Sequence, residues 1–146
     1  MEIAVDTSFL LSLYLRDCHS EIAKAQVVEV SQPLLLSPLA RLEFTNGLEQ
    51  WVFRKQLSEL QALQLKHCFL NDLDQGRLIS GGNISAQCWK TAERMGESHT
   101  KALGTRSLDI LHVSFAVETQ ASHFWSFDLK QRQLAEGFDL SLNPMA

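Results

Sequence analysis

Short apolar runs alternate with longer stretches in which apolar residues recur every three or four positions, a pattern that predicts strands feeding helices. Ile3-Ala4-Val5 reads as a strand that stops at Asp6-Thr7-Ser8, residues able to cap a helix running through Phe9, Leu10, Leu11, Leu13 and Leu15. A second helix is expected from Ser20 to about Val30, followed by the strand Leu34-Leu35-Leu36. After Ser37, Pro38 suits a first helical turn, and Leu39, Leu42, Phe44, Leu48, Trp51 and Val52 carry helical spacing toward Lys55. Ser58 and Gln61 have the form of a capping box that opens a further helix through Leu63, Leu65, Phe69 and Leu70, ending by Gly76.

Arg77-Leu78-Ile79-Ser80 is a third short β-favouring run, and Gly81-Gly82-Asn83 marks a turn. The helix after it, through Trp89, Ala92 and Met95, is expected to stop near Gly96, leaving a loop as far as Gly104. Leu108, Leu111, Phe115 and Ala116 predict a helix from Ser107 to about Thr119. His123 to Phe127 reads as a strand ending at Asp128, then comes a helix that ends near Gly137, and Phe138 to Leu142 alternates as an edge strand would. Strands alternating with helices imply an α/β fold, a three-layer sandwich around a mostly parallel sheet with right-handed crossovers. Sites in such sheets form at the carboxyl ends of strands, where Asp6 and Asp128 are expected.

At 146 residues, 45% of them hydrophobic and 21% charged, the chain has the size and composition of one globular domain, expected to span residues 1–146. Neither a basic, apolar leader nor an apolar run of about 18 residues is visible, which gives a cytoplasmic expectation with no membrane partner. Cys18, Cys68 and Cys88 are odd in number and widely spaced, so they are expected to be buried or inert thiols; Cys18-His19 and His67-Cys68 are neighbours that point apart on a helix. A net charge of −4, from 13 basic and 17 acidic residues, argues against coating nucleic acid through bulk charge. A bound cation would offset that deficit locally.

Four acids stand beside apolar patterns: Asp6 after its strand, Glu43 among Leu39, Leu42 and Phe44, Asp109 between Leu108 and Ile110, and Asp128 after Phe127. Each has a bland explanation, since Asp6 and Asp128 can be helix caps and Glu43 or Asp109 can pair with Arg41 or Arg106. Together they suit a shared Mg²⁺ or Mn²⁺, because these hard ions prefer carboxylate and water oxygen. Such an ion would orient a water and stabilise charge on phosphate oxygens during phosphodiester hydrolysis.

Val5-Asp6-Thr7-Ser8, the helix bearing Glu43 and Asn46, Thr105-Arg106-Ser107-Leu108-Asp109-Ile110-Leu111-His112, and Ser126-Phe127-Asp128 stand in a telling order. The chain resembles PIN-domain nucleases in the order and spacing of these motifs over nearly its whole length, and most of all the compact VapC-type toxins of bacterial toxin–antitoxin pairs. That resemblance implies a single PIN domain that cleaves RNA with Mg²⁺ or Mn²⁺, forms a homodimer and is inhibited by a cognate antitoxin. It also implies that Asp6, Glu43 and Asp109 are the core metal-binding and catalytic acids, with Asp128 completing the set. Thr7, Ser126 and Asn46 take support roles, and His112 is expected to be a packing residue.

Arg106, Lys101 and Arg94 are candidate phosphate contacts or ordinary surface charge, and Trp51, Trp89 and Trp125 are expected in core or subunit packing. A phosphoaspartate hydrolase fits poorly, because Ser8 occupies the place of a second aspartate; a receiver domain lacks its adjacent acids near the first strand. A PIN-like interaction module without catalysis remains the other class, since folds persist without their chemistry.

Overall fold

The computed structural model describes residues 1–145. Its strands are β1 (Ile3–Val5), β2 (Leu34–Leu36), β3 (Leu78–Ser80), β4 (His123–Trp125) and β5 (Ser141–Leu142). Its helices are α1 (Thr7–Tyr14), α2 (Ser20–Val30), α3 (Pro38–Phe53), α4 (Glu59–Asp74), α5 (Ala86–Leu103), α6 (Ser107–Glu118) and α7 (Leu129–Glu136). The strands form one sheet in the order β3-β2-β1-β4-β5, with all four pairings parallel. The expected mostly parallel sheet is therefore wholly parallel among the described residues.

Alternation along the strands sorts the core into two layers, because successive side chains leave a sheet on opposite faces. Ile3, Val5, Leu34, Leu36 and Trp125 join Phe9, Leu10, Phe44, Leu48 and Phe69 on one side. Ala4 and Phe124 join Met95, Ile110, Val113 and Leu134 on the other. Helices α1 to α4 thus cover one face and α5 to α7 the other, giving the three-layer sandwich. Phe9, Phe44, Phe69 and Phe124 are fully buried, and each contributes about 2–3 kcal/mol of transfer free energy.

Local sequence sets most boundaries. Ser37 accepts a hydrogen bond from the Ala40 N–H with Pro38 opening α3, and Ser58 and Gln61 form the expected reciprocal capping box on α4. The exception is α5, which runs through Gly96 and replaces the loop expected before Gly104. Gly96 lies where α5 meets α6 and keeps a right-handed backbone; a Cβ there would stand 3.6 Å from the Ile110 side chain, an ordinary contact, so nothing at this position stops the helix. The helix ends at Gly104, whose φ of +67° supplies the left-handed cap and whose N–H donates to the Thr100 carbonyl at 2.7 Å. Strand β4 stops at Trp125, short of the expected Phe127, because the Ser126 N–H turns to the Asn143 side chain and the Phe127 N–H to the Ser8 hydroxyl. The edge strand β5 keeps only two residues of the expected five.

Three further expectations meet mixed outcomes. Cys88 is buried, whereas Cys18 and Cys68 are exposed free thiols. Trp125 is in the core and Trp51 lies against it, but Trp89 is 54% exposed. No helix among the described residues is long and apolar enough to cross a membrane.

The sheet order creates a switch point at β1: β2 and β3 lie to one side of it and β4 and β5 to the other. Crevices form there at the carboxyl ends of parallel strands. Asp6 follows β1 directly, with its N–H bonded across to the Trp125 carbonyl of β4 at 3.2 Å.

Candidate active site

Asp6 is fully buried at that switch point. Its Oδ1 accepts from the Phe9 N–H at 2.9 Å and so caps α1, as a cap reading of the sequence would have it. The Ser8 hydroxyl lies 2.8 Å from both carboxylate oxygens, and the Ser126 hydroxyl donates to Oδ2 at 2.8 Å. These hydroxyls also accept from the segment after β4: the Phe127 N–H donates to Ser8, and the Asp128 N–H to Ser126. Burial pushes the Asp6 carboxyl above its ordinary value, although the nearby His112 charge and the hydrogen bonds from Phe9, Ser8 and Ser126 all pull it down.

Glu43 projects from α3 toward Thr7 and His112. Its Oε1 accepts from the Thr7 hydroxyl at 2.7 Å and lies 2.6 Å from His112 Nε2, which is itself 3.5 Å from Thr7 Oγ1. Burial alone would raise the Glu43 carboxyl, but the hydrogen bonds from His112 and Thr7, with the His112 charge, bring it below its ordinary value. His112 is buried as a packing residue would be, yet its ring meets the acid. The three-residue spacing from Asp109 on α6 was the available signal for it.

Asp109 occupies the first turn of α6. Its Oδ2 accepts from the Arg106 N–H at 3.3 Å and its Oδ1 from the Gln131 side-chain amide at 3.0 Å. Asp128 caps α7 through Oδ1, which accepts from the Gln131 backbone N–H at 3.0 Å. Both acids line a cavity of about 470 Å³ shared with Arg106, Phe127, Leu129 and Lys130. Gln131, unmarked in the sequence, links the two through one amide group and one peptide N–H.

All four acids thus lie along one hydrogen-bonded path. Thr7 connects Glu43 to the turn holding Asp6, Ser126 connects Asp6 to the Asp128 backbone, and Gln131 connects Asp128 to Asp109. The path does not close into a cage, because no three His, Cys, Asp or Glu among the described residues form a group able to hold one ion. Neither Arg41 nor Arg106 pairs with these acids: the ion pairs among the described residues are Arg77–Asp72 and His112–Glu43. Asn46 is exposed and makes no side-chain hydrogen bond among the described residues, so its expected support role finds no contact here. Arg94 and Lys101 are exposed on α5 and do not line the cavity.

The donor chemistry fits a hard divalent cation. Carboxylates and hydroxyls make up the path, no cysteine takes part, and Asp6 is a fully buried carboxyl without an ion-pair partner among the described residues.

Comparison with known proteins accords with this geometry. None of the curated proteins compared by sequence matches the chain. VapC20 of Mycobacterium tuberculosis, described as a toxin that cleaves the sarcin–ricin loop, superposes with a TM-score of 0.70 at 14% identity, over 98% of this chain and 100% of that one. VapBC2 of Rickettsia felis, in a structure bound to a DNA fragment from its promoter, gives 0.69 at 16% identity, over 97% of each chain. FitAcB of Neisseria gonorrhoeae gives 0.65 at 14%, over 97% of this chain and 96% of that one. At these identities the likeness establishes a shared fold. The PIN domain family model, by contrast, matches the sequence itself over residues 3–137, from β1 through α7 and across all four acids. The chain belongs to the PIN domain family.

Proposed function

We propose that this protein is a divalent-metal-dependent endoribonuclease and the toxin of a toxin–antitoxin pair. The observation that carries this reading is the placement of Asp6, Glu43, Asp109 and Asp128 along one hydrogen-bonded path at the switch point, next to a cavity that also presents Arg106 and Lys130. Asp109 and Asp128 line the opening and would hold Mg²⁺ or Mn²⁺, with Asp6 and Glu43 supplying negative charge behind them. Mg²⁺ is commonly held by one or two carboxylates with water filling the rest of its shell, which suits a path that does not close into a cage. When bound, the ion supplies an activated water and charge neutralisation at the phosphate.

The chain's own groups do the rest. Arg106 and Lys130 attract and orient the phosphate backbone at the cavity, where they balance Asp109 and Asp128 and a bound cation would add the positive charge that the chain as a whole lacks. Thr7 and His112 fix the Glu43 carboxylate and favour its ionised form. Ser8 and Ser126 hold Asp6 so that its charge has one orientation. The neighbours described as toxins, or as complexes named for two components, support an antitoxin partner for this chain, and a homodimer belongs to the same reading.

The absence of a three-carboxylate group among the described residues favours one competing reading, a PIN-fold interaction module without turnover. One assay separates the two. Purified protein, freed of co-purifying inhibitor, is incubated with single-stranded and structured RNAs under Mg²⁺, Mn²⁺ or chelator, beside a folded Asp109→Asn variant. The nuclease reading expects metal-dependent cleavage that falls a hundredfold or more, about 3 kcal/mol, in the variant. Folded protein that neither binds metal nor cuts would establish the interaction module instead.

A further inference from the structure

Gln131 breaks a rule that the rest of its helix obeys. The buried face of α7 consists of Gln131, Leu134 and Ala135, the spacing of an apolar stripe, and a leucine at the first position would complete it. Gln131 is instead 5% exposed, and its Oε1 is buried with no hydrogen-bond partner in the protein. An unmet buried acceptor of this kind opposes folding. The amide cannot turn to relieve it, because Asp109 Oδ1, at 3.0 Å, can only accept and so requires the NH₂ end.

What that cost maintains is the spacing of two acids. The Gln131 side chain donates to Asp109 on α6 while its backbone N–H donates to Asp128 at the start of α7, so a single residue fixes both carboxylates that line the cavity. Departures from good packing in a natural sequence concentrate at functional sites. We infer that Gln131 is a positioning residue that orients Asp109 toward Asp128 for a divalent cation, at the expense of fold stability. The inference rests on the metal-dependent reading of the cavity.

Two opposed readouts follow from it. Gln131→Met keeps the length and burial of the side chain but removes the amide. Removing the unmet acceptor leaves the thermal midpoint of the metal-free protein unchanged or higher, while loss of the support weakens Mn²⁺ binding, followed by electron paramagnetic resonance, by roughly tenfold. In an Asp109→Asn background the same substitution changes Mn²⁺ affinity by less than about twofold, because its route to the ion is already gone.

A Gln131→Met protein that binds Mn²⁺ like the wild type overturns the positioning role. So does one whose midpoint and affinity fall together, or a full tenfold loss that persists without Asp109. Wild-type protein that binds no Mn²⁺ overturns the nuclease reading and this inference with it; equal binding by wild type and variant overturns the inference alone.

Discussion

The two halves of the acidic path are built differently. Around Asp6, protein groups answer the fully buried carboxylate from several sides: a peptide N–H, two serine hydroxyls and the nearby His112, with only Ser8 among them partly open to solvent. Around Asp109 and Asp128 the side chains are only half-buried, each carboxylate takes one bond from Gln131, and the remaining wall is a cavity with Arg106 and Lys130 at its edge. The inner half is fixed by the fold, and the outer half leaves oxygen for something that is not protein. The buried half therefore sets the local electrostatics, while in the proposed function the half-buried acids would meet ligand and substrate.

This contrast predicts different sensitivities. Ser8→Ala removes the hydroxyl that faces both Asp6 oxygens and accepts from the Phe127 N–H, leaving buried groups without partners; a loss of about 2 kcal/mol in urea unfolding is expected. Lys130→Ala at the outer half leaves stability within about 0.5 kcal/mol, since its bond to the Gly104 carbonyl is exposed. The same change should reduce the salt dependence of single-stranded RNA binding, lowering the log–log slope by roughly 0.7. Equal destabilisation by both variants would erase the distinction between the halves.

The smallest effect concerns pH. Glu43 has a folded-state value below its ordinary 4.5, so it contributes stability that is present above 4.5 and lost as pH falls through the lower folded value. Asp6, raised from 3.8, works in the opposite sense: its favourable contribution is present below 3.8 and lost as pH rises through the folded value. His112 lowers both acids, so His112→Gln should flatten the rise of stability with pH across the acid range. A steeper rise would contradict the assigned pairing.

Much of the fold was legible because period and caps are local. The strand Ile3–Val5, the Ser58–Gln61 box and the acids at strand ends all announce themselves within a few residues. The length of α5 was not legible, since Gly96 looks like a helix stop yet keeps a helical backbone, and the left-handed cap falls at Gly104 instead. The site divides in the same way. Four acids could be picked out as charges beside apolar neighbours, but the partners that give them distinct roles are distant in sequence: His112 reaches Glu43 across 69 positions, and Ser126 reaches Asp6 across 120. Gln131 had no signature beyond its place three residues after Asp128.

If the fully buried Asp6 carboxyl lends its charge to a cation at the adjoining cavity, as proposed, the most direct test is the thermal midpoint of wild type and Asp6→Asn at neutral pH, with and without Mn²⁺. Asparagine preserves a helix cap while deleting the charge. Without metal the variant should melt at the same temperature or higher, because burial disfavours the charged form of the Asp6 carboxyl; with Mn²⁺ the wild type should rise by several degrees and the variant by much less. A metal-free variant that melts well below the wild type, or Mn²⁺ that stabilises both equally, would contradict the account.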